Sequence, residues 1–93
     1  MAKPRNETKG GEVSDTAKCW GALWRSENSL DGQREYLLSE GNGFPVLFRT
    51  RAKARLWIEY HYGYIRTRPD LCADPHGWRM PVAVRVEVRR VAN

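Results

Sequence analysis

One run near the end of the chain alternates apolar and polar side chains. It covers residues 82–89, with valine at every second position. Successive side chains of a β-strand point to opposite faces, so the run predicts a strand with one apolar face. We expect the valines to face the core and the intervening side chains to face solvent. An apolar strand face must be covered, and this predicts a sheet with a second layer packed on it.

Further strands are predicted in the first half of the chain. Residues 18–26 carry two tryptophans and an alanine at alternate positions, on one face of an extended strand. An Asp-Gly pair at 31–32 is a strong turn signal, and residues 34–39 supply the returning strand of a hairpin. A short third strand is expected at 46–49.

A single segment predicts a helix. Thr50 is a good N-cap, and helix-forming residues run from Arg51 to about Tyr62, with Arg66 as the furthest end. The helix stops before Pro69. One stripe is apolar and is expected to pack on the sheet: Ala54, Trp57, Ile58, His61 and Ile65. A flanking face carries Arg51, Arg55, Tyr62 and Arg66.

Together these elements predict an α+β fold, a small three- or four-stranded antiparallel sheet with one helix packed on one face. The last strand lies either beside the first, in the centre, or at an edge. Residues 1–16 are polar and predict a disordered tail, and 17–93 predict a single domain. Residues 66–81 contain three prolines and predict a long irregular loop, a kind of segment that is often functional.

Positive charge is concentrated in the second half of the chain. Residues 1–46 hold 6 Lys/Arg against 7 Asp/Glu, whereas residues 47–93 hold 10 against 4, within a net charge of +5. Such asymmetry predicts an acidic partner. Arginine also suits bidentate contacts to phosphate or carboxylate, and aromatic side chains such as Tyr60, Tyr62, Tyr64 and Trp78 can stack on unpaired bases.

The sequence therefore predicts a non-enzymatic binding module with a basic surface. Its partner is nucleic acid or a nucleoprotein, or alternatively an acidic protein surface. The free N–H groups of the helix start at Thr50 offer a further place for an anion. The predicted binding residues are Arg49, Arg51, Arg55, Tyr62, Arg66, Trp78, Arg79, Arg85 and Arg89.

Catalytic and metal-binding patterns are weak. His61 falls on the apolar helix stripe and is expected in the core, and Cys72 and His76 lack the glycine-rich turn that positions a nucleophile. The series Asp70, Cys72, Asp74 and His76 matches no closed zinc pattern, so neither metal nor cofactor is expected.

Cys19 and Cys72 are expected to be reduced and mostly buried, and a single disulfide between them is the alternative. No apolar run is long enough to cross a membrane, and we expect a cytoplasmic protein.

A loose pattern over 47–66, 68–71 and 75–81 resembles small phage and prophage proteins that carry no transferable activity. Phage products of this size often bind host machinery such as CRISPR effectors, polymerases or regulators. The resemblance implies an inhibitor that docks on a host protein through arginine and aromatic anchors, which is the alternative to nucleic-acid binding.

Overall fold

The computed structural model describes residues 16–91. The predicted tail lies outside the described residues except for Thr16, which begins the first strand, and the last two residues also lie outside them. The elements in chain order are β1 (Thr16–Asn28), β2 (Gly32–Leu37), β3 (Leu47–Phe48), α1 (Arg51–Tyr62), a 3-10 segment (Gly63–Thr67), α2 (Pro69–Cys72) and β4 (Trp78–Arg89).

β1 is the central strand of an open, fully antiparallel four-stranded sheet. β4 pairs along one edge of β1, and β2 and β3 pair one after the other along the opposite edge. The predicted α+β class is confirmed. The last strand lies beside the first, but among the described residues it pairs with no other strand and so forms an edge of the sheet, which combines the two places predicted for it. The β1–β4 register shifts between Leu23 and Arg25, where Arg25 Nη2 donates to the Met80 carbonyl at 3.0 Å.

The β1–β2 turn is closed by the side chain of Asn28. Its Oδ1 accepts from the backbone N–H groups of Leu30 and Asp31 at 3.0 and 2.7 Å. Gly32 follows with a φ of 72°, a conformation that glycine adopts without steric cost. The Asp-Gly turn signal therefore identified the hairpin correctly.

α1 packs across the sheet on the face that carries Ala22. Ala54 and Ile58 of the helix are buried, as are Ala22 of β1 and Ile65 of the 3-10 segment. Partly buried aromatic side chains complete this core, and Ala83 of β4 packs against it. Thr50 caps the helix as predicted, its Oγ1 accepting from Lys53 N at 3.1 Å.

The alternation of β4 is confirmed, since Arg85, Glu87 and Arg89 are exposed as predicted, but the face predicted to meet the helix is wrong. Ala83 lies opposite Ala22 and faces the helix, whereas Val82, Val84, Val86 and Val88 belong to the other face. A Cβ added to Gly21 would lie 3.0 Å from Val86 Cγ2, which places that valine over the far side of β1. The reason is steric: α1 brings bulky Trp57 and Ile58 to the interface, and the small pair Ala22 and Ala83 leaves room for them at this point of the sheet.

His61 is also misplaced by the sequence prediction. Its side chain is exposed rather than in the core, with its ring 4.5 Å from that of Trp57. Trp57 already covers the core at this point of α1, so the histidine packs on its outer side. Neither cysteine is bridged, and Cys72 is exposed, contrary to the expected burial.

Candidate functional site

Two arginines from different elements lie over one indole ring. The Arg85 guanidinium carbon is 5.1 Å from the Trp20 ring centroid, and that of Arg51 is 5.7 Å from it. The sheet register places Trp20 directly opposite Arg85, and the N-terminus of α1 brings in Arg51. Cation–π attraction therefore holds two like charges at one place on the surface.

Arg55 extends this pair along the helix. It lies one turn after Arg51, and both line a groove of about 300 Å³ between α1 and the first half of β4. Arg51, Arg55 and Arg85 are called here the arginine cluster. The remaining residues that line the groove are Ile58, Glu59, Arg66, Met80, Pro81, Val82 and Ala83.

The carboxylates nearest the arginine cluster are already engaged. Glu59 pairs with Arg66 rather than with Arg55, the partner expected from helical spacing, and Glu87 Oε1 lies 3.5 Å from Arg89 Nη2. Within residues 16–91, no carboxylate lies within 4.0 Å of a cluster guanidinium. The three charges are thus without an internal counter-ion in this part of the chain.

The start of α1 adds to the positive potential. Its first turn holds no acidic residue, and Arg51 and Lys53 place cations where the helix dipole is already positive. Cations at this end weaken a helix, so an anion bound near Arg51 would offset an unfavourable arrangement.

A second groove, of about 560 Å³, lies over the other end of the same sheet face. Trp24 forms its floor. The Tyr36 ring is inclined by 29° to it at 6.2 Å between centroids, and the Tyr62 and Trp78 rings are steeply inclined at 5.9 and 5.4 Å. This is called the aromatic groove. Its other lining residues are Ser26, Asn28, Asp31, Arg34, Leu38, Tyr64, Pro75 and His76.

Tyr62 is partly buried in the aromatic groove. Burial raises the pKa of its phenol above the ordinary value, and the neighbouring Tyr64 and Tyr36 raise it further. Tyr36 and Tyr64 are themselves 50% and 47% exposed. The groove therefore combines an enclosed floor with ring surfaces that a ligand can reach.

One wall of the aromatic groove is the loop that precedes β4. Asn28 Nδ2 donates to the His76 carbonyl at 3.0 Å, Ser29 N donates to Asp74 Oδ1 at 3.2 Å, and Glu27 N donates to the Gly77 carbonyl at 2.9 Å. These bonds fix the loop on the end of β1. The region predicted as irregular thus contains α2 and an ordered turn that positions Trp78.

The predicted binding residues do not form one surface. Arg51, Arg55 and Arg85 form the cluster, with Arg66 beside it, while Tyr62 and Trp78 lie in the aromatic groove. Arg49 is exposed before α1. Arg79 pairs with Glu27 at 3.8 Å and Arg89 with Glu87.

Sequence reasoning missed four residues that the structure adds to these sites. They are Trp20, Trp24, Arg34 and Tyr36. The alternate spacing of the tryptophans predicted a shared strand face, but no binding role was predicted for either of them. Their distances from α1 and β4 depend on strand register, which the spacing does not contain.

The loop that carries Asp70, Cys72, Asp74 and His76 does not bring these side chains together. Among residues 16–91, no three His, Cys, Asp or Glu side chains are grouped so as to hold a metal ion. Asp70 binds Arg68, which lowers the pKa of its carboxyl, Asp74 caps Ser29, and His76 packs on Trp78 at 5.3 Å.

Within the described part of the chain, no helix has the length and apolar character needed to span a membrane.

Comparison with protein-family models, curated proteins and solved structures gave no match to this chain. The resemblance to small phage proteins stays a prediction.

Proposed function

We propose that the protein is a non-enzymatic module that binds nucleic acid through its phosphates, and that the arginine cluster makes these contacts. The observation that carries the proposal is the placement of Arg51 and Arg85 over Trp20, with no carboxylate of residues 16–91 near either. Guanidinium groups without a counter-ion favour an oxyanion such as phosphate, which can accept two hydrogen bonds from one guanidinium.

Several features support a built site over an ordinary solvated surface. Exposed arginines on a solvated surface commonly pair with nearby carboxylates, and Arg66, Arg68, Arg79 and Arg89 do so here. The cluster arginines instead gather at a groove and around a shared ring.

The proposal is tested by comparing two charge-matched double variants of the full chain. Arg51→Gln with Arg55→Gln removes two unpaired charges, and Arg68→Gln with Arg79→Gln removes two paired ones. We expect the first to weaken binding of a labelled oligonucleotide by about tenfold or more at ~50 mM salt, and the second by less than about threefold. Fluorescence anisotropy measures both.

Two results would contradict the proposal. One is equal loss in the two double variants, which would mean that only net charge matters. The other is no binding to any DNA or RNA at ~50 mM salt, where phosphate contacts are strongest. In that second case, capture of a protein from nuclease-treated lysate that depends on Arg51 and Arg55 would support the alternative of an acidic protein partner.

A further inference from the structure

We propose that the aromatic groove receives an unpaired nucleobase, so that the nucleic acid bound is single-stranded. This rests on the proposed function and adds a preference that phosphate contacts alone do not give. Neighbouring base pairs cover the ring faces of a base in a duplex, whereas a single strand can turn a base outward onto an aromatic side chain.

The exposed rings of the groove are suited to stacking. Tyr36 lies on an edge strand, has Trp24 on one side and is 50% exposed. Trp78 and Tyr62 stand at 74° and 60° to Trp24 and form walls. A flat ring placed on Tyr36 would therefore meet aromatic surface from below and from the side.

The two charged residues that line the aromatic groove, Arg34 and Asp31, suit the two ends of a nucleotide. Arg34 lies two residues before Tyr36 on the same face of β2, roughly 7 Å along the strand, and lines the groove. Among the described residues, no carboxylate lies within 4.0 Å of it. It can hold the phosphate of a base stacked on Tyr36. Asp31, also on the groove, can accept from an exocyclic amine of the base.

The aromatic groove and the arginine cluster lie on the helix side of one sheet. The 3-10 segment separates them. Its Tyr64 lines the aromatic groove, and its Arg66 lines the groove at the arginine cluster. A single strand that passes this segment can place a base in the first and phosphates at the second. Continuity with a phosphate-binding surface favours a nucleotide over a proline-rich peptide, which needs no such charge.

The test uses the full chain and three matched oligonucleotide probes: a single strand, the duplex of the same sequence, and an abasic strand that keeps every phosphate. We expect the single strand to bind at least about tenfold more tightly than the other two. Tyr36→Leu should reduce single-strand affinity by roughly five- to a hundredfold, toward that of the abasic probe. Tyr60→Leu is the control, since Tyr60 is 85% exposed on α1 and outside the groove.

The outcomes separate the two proposals. Equal affinity for all three probes, or equal effects of Tyr36→Leu and Tyr60→Leu, overturns the single-strand inference and leaves phosphate binding standing. If none of the probes binds, both the proposed function and this inference are contradicted. Quenching of tryptophan fluorescence by a proline-rich peptide, without response to the single strand, assigns the groove to peptides and also overturns the inference.

Discussion

Gly77 determines how closely the loop before β4 approaches β1. Its φ is 64°, and a Cβ added there would lie 1.8 Å from the Glu27 carbonyl oxygen. The backbone can come this near only because glycine has no side chain. That contact fixes one wall of the aromatic groove through Trp78.

Replacing Gly77 by alanine should destabilise the protein by well over about 1–2 kcal/mol, the cost of a left-handed conformation alone. Gly32→Ala is the matched control, since Gly32 has a φ of 72° but nothing within 4 Å of its added Cβ. Urea unfolding of both variants measures the difference. Equal losses at the two positions would show that the close approach to Glu27 is not rigid.

Tyr62 should make the stability of the folded protein depend on pH in the alkaline range. Because its pKa is raised in the folded state, folded Tyr62 keeps its proton at a pH where the unfolded chain has lost it. Its stabilising contribution is present below about pH 10, the ordinary tyrosine value, and is lost as pH rises through the raised one. We expect Tyr62→Phe to flatten the fall in the denaturation midpoint above pH 10. Superimposable curves would contradict this burial of Tyr62.

At the scale of elements, α1 begins with charges that oppose its own dipole. Thr50 is the N-cap and Lys53 occupies the position where a glutamate would complete a capping box. Lys53 lines neither groove. Arg51 therefore lies where its charge weakens α1, which is consistent with a binding role for this residue.

Two equal charge reversals in the first turn of α1 should separate stability from binding. Lys53→Glu should raise the free energy of unfolding by about 0.3–1 kcal/mol and weaken nucleic-acid binding only slightly. Arg51→Glu should weaken it severely, because it removes a cluster arginine. Thermal melts and anisotropy titrations of both variants test this. Binding losses of the same size would remove the distinction between the cluster and the rest of the helix start.

Most elements could be predicted from the sequence because their signals are local. The Asp-Gly turn, the Thr50 cap and the alternation in β4 each identified an element that the structure contains. Alternation does not say which face meets the helix, and so the valines were assigned to the wrong side. His61 failed for a similar reason, since helical spacing cannot show that Trp57 already covers the core.

The whole molecule carries two different grooves on one side of a sheet, and only the groove at the arginine cluster is lined entirely by the predicted basic half. Charge counting predicted the basic surface but could not separate paired from unpaired arginines, because pairing depends on contacts such as Glu59 with Arg66. The cation–π contact between Trp20 and Arg85 joins β1 to β4. The register of that strand pair is set by tertiary packing, and no short-range pattern reveals it.

The central claim is that the arginine cluster binds phosphates, and the salt dependence of binding tests it most directly. For a single strand, each phosphate contact contributes about −0.7 to the slope of log affinity against log salt. The three cluster arginines therefore predict a slope of about −2 or steeper. Neutralising Arg51 and Arg55 together should make it shallower by about 1.4, whereas neutralising Arg68 and Arg79 should leave it unchanged. A flat slope, or one that the two double variants alter equally, would contradict the claim.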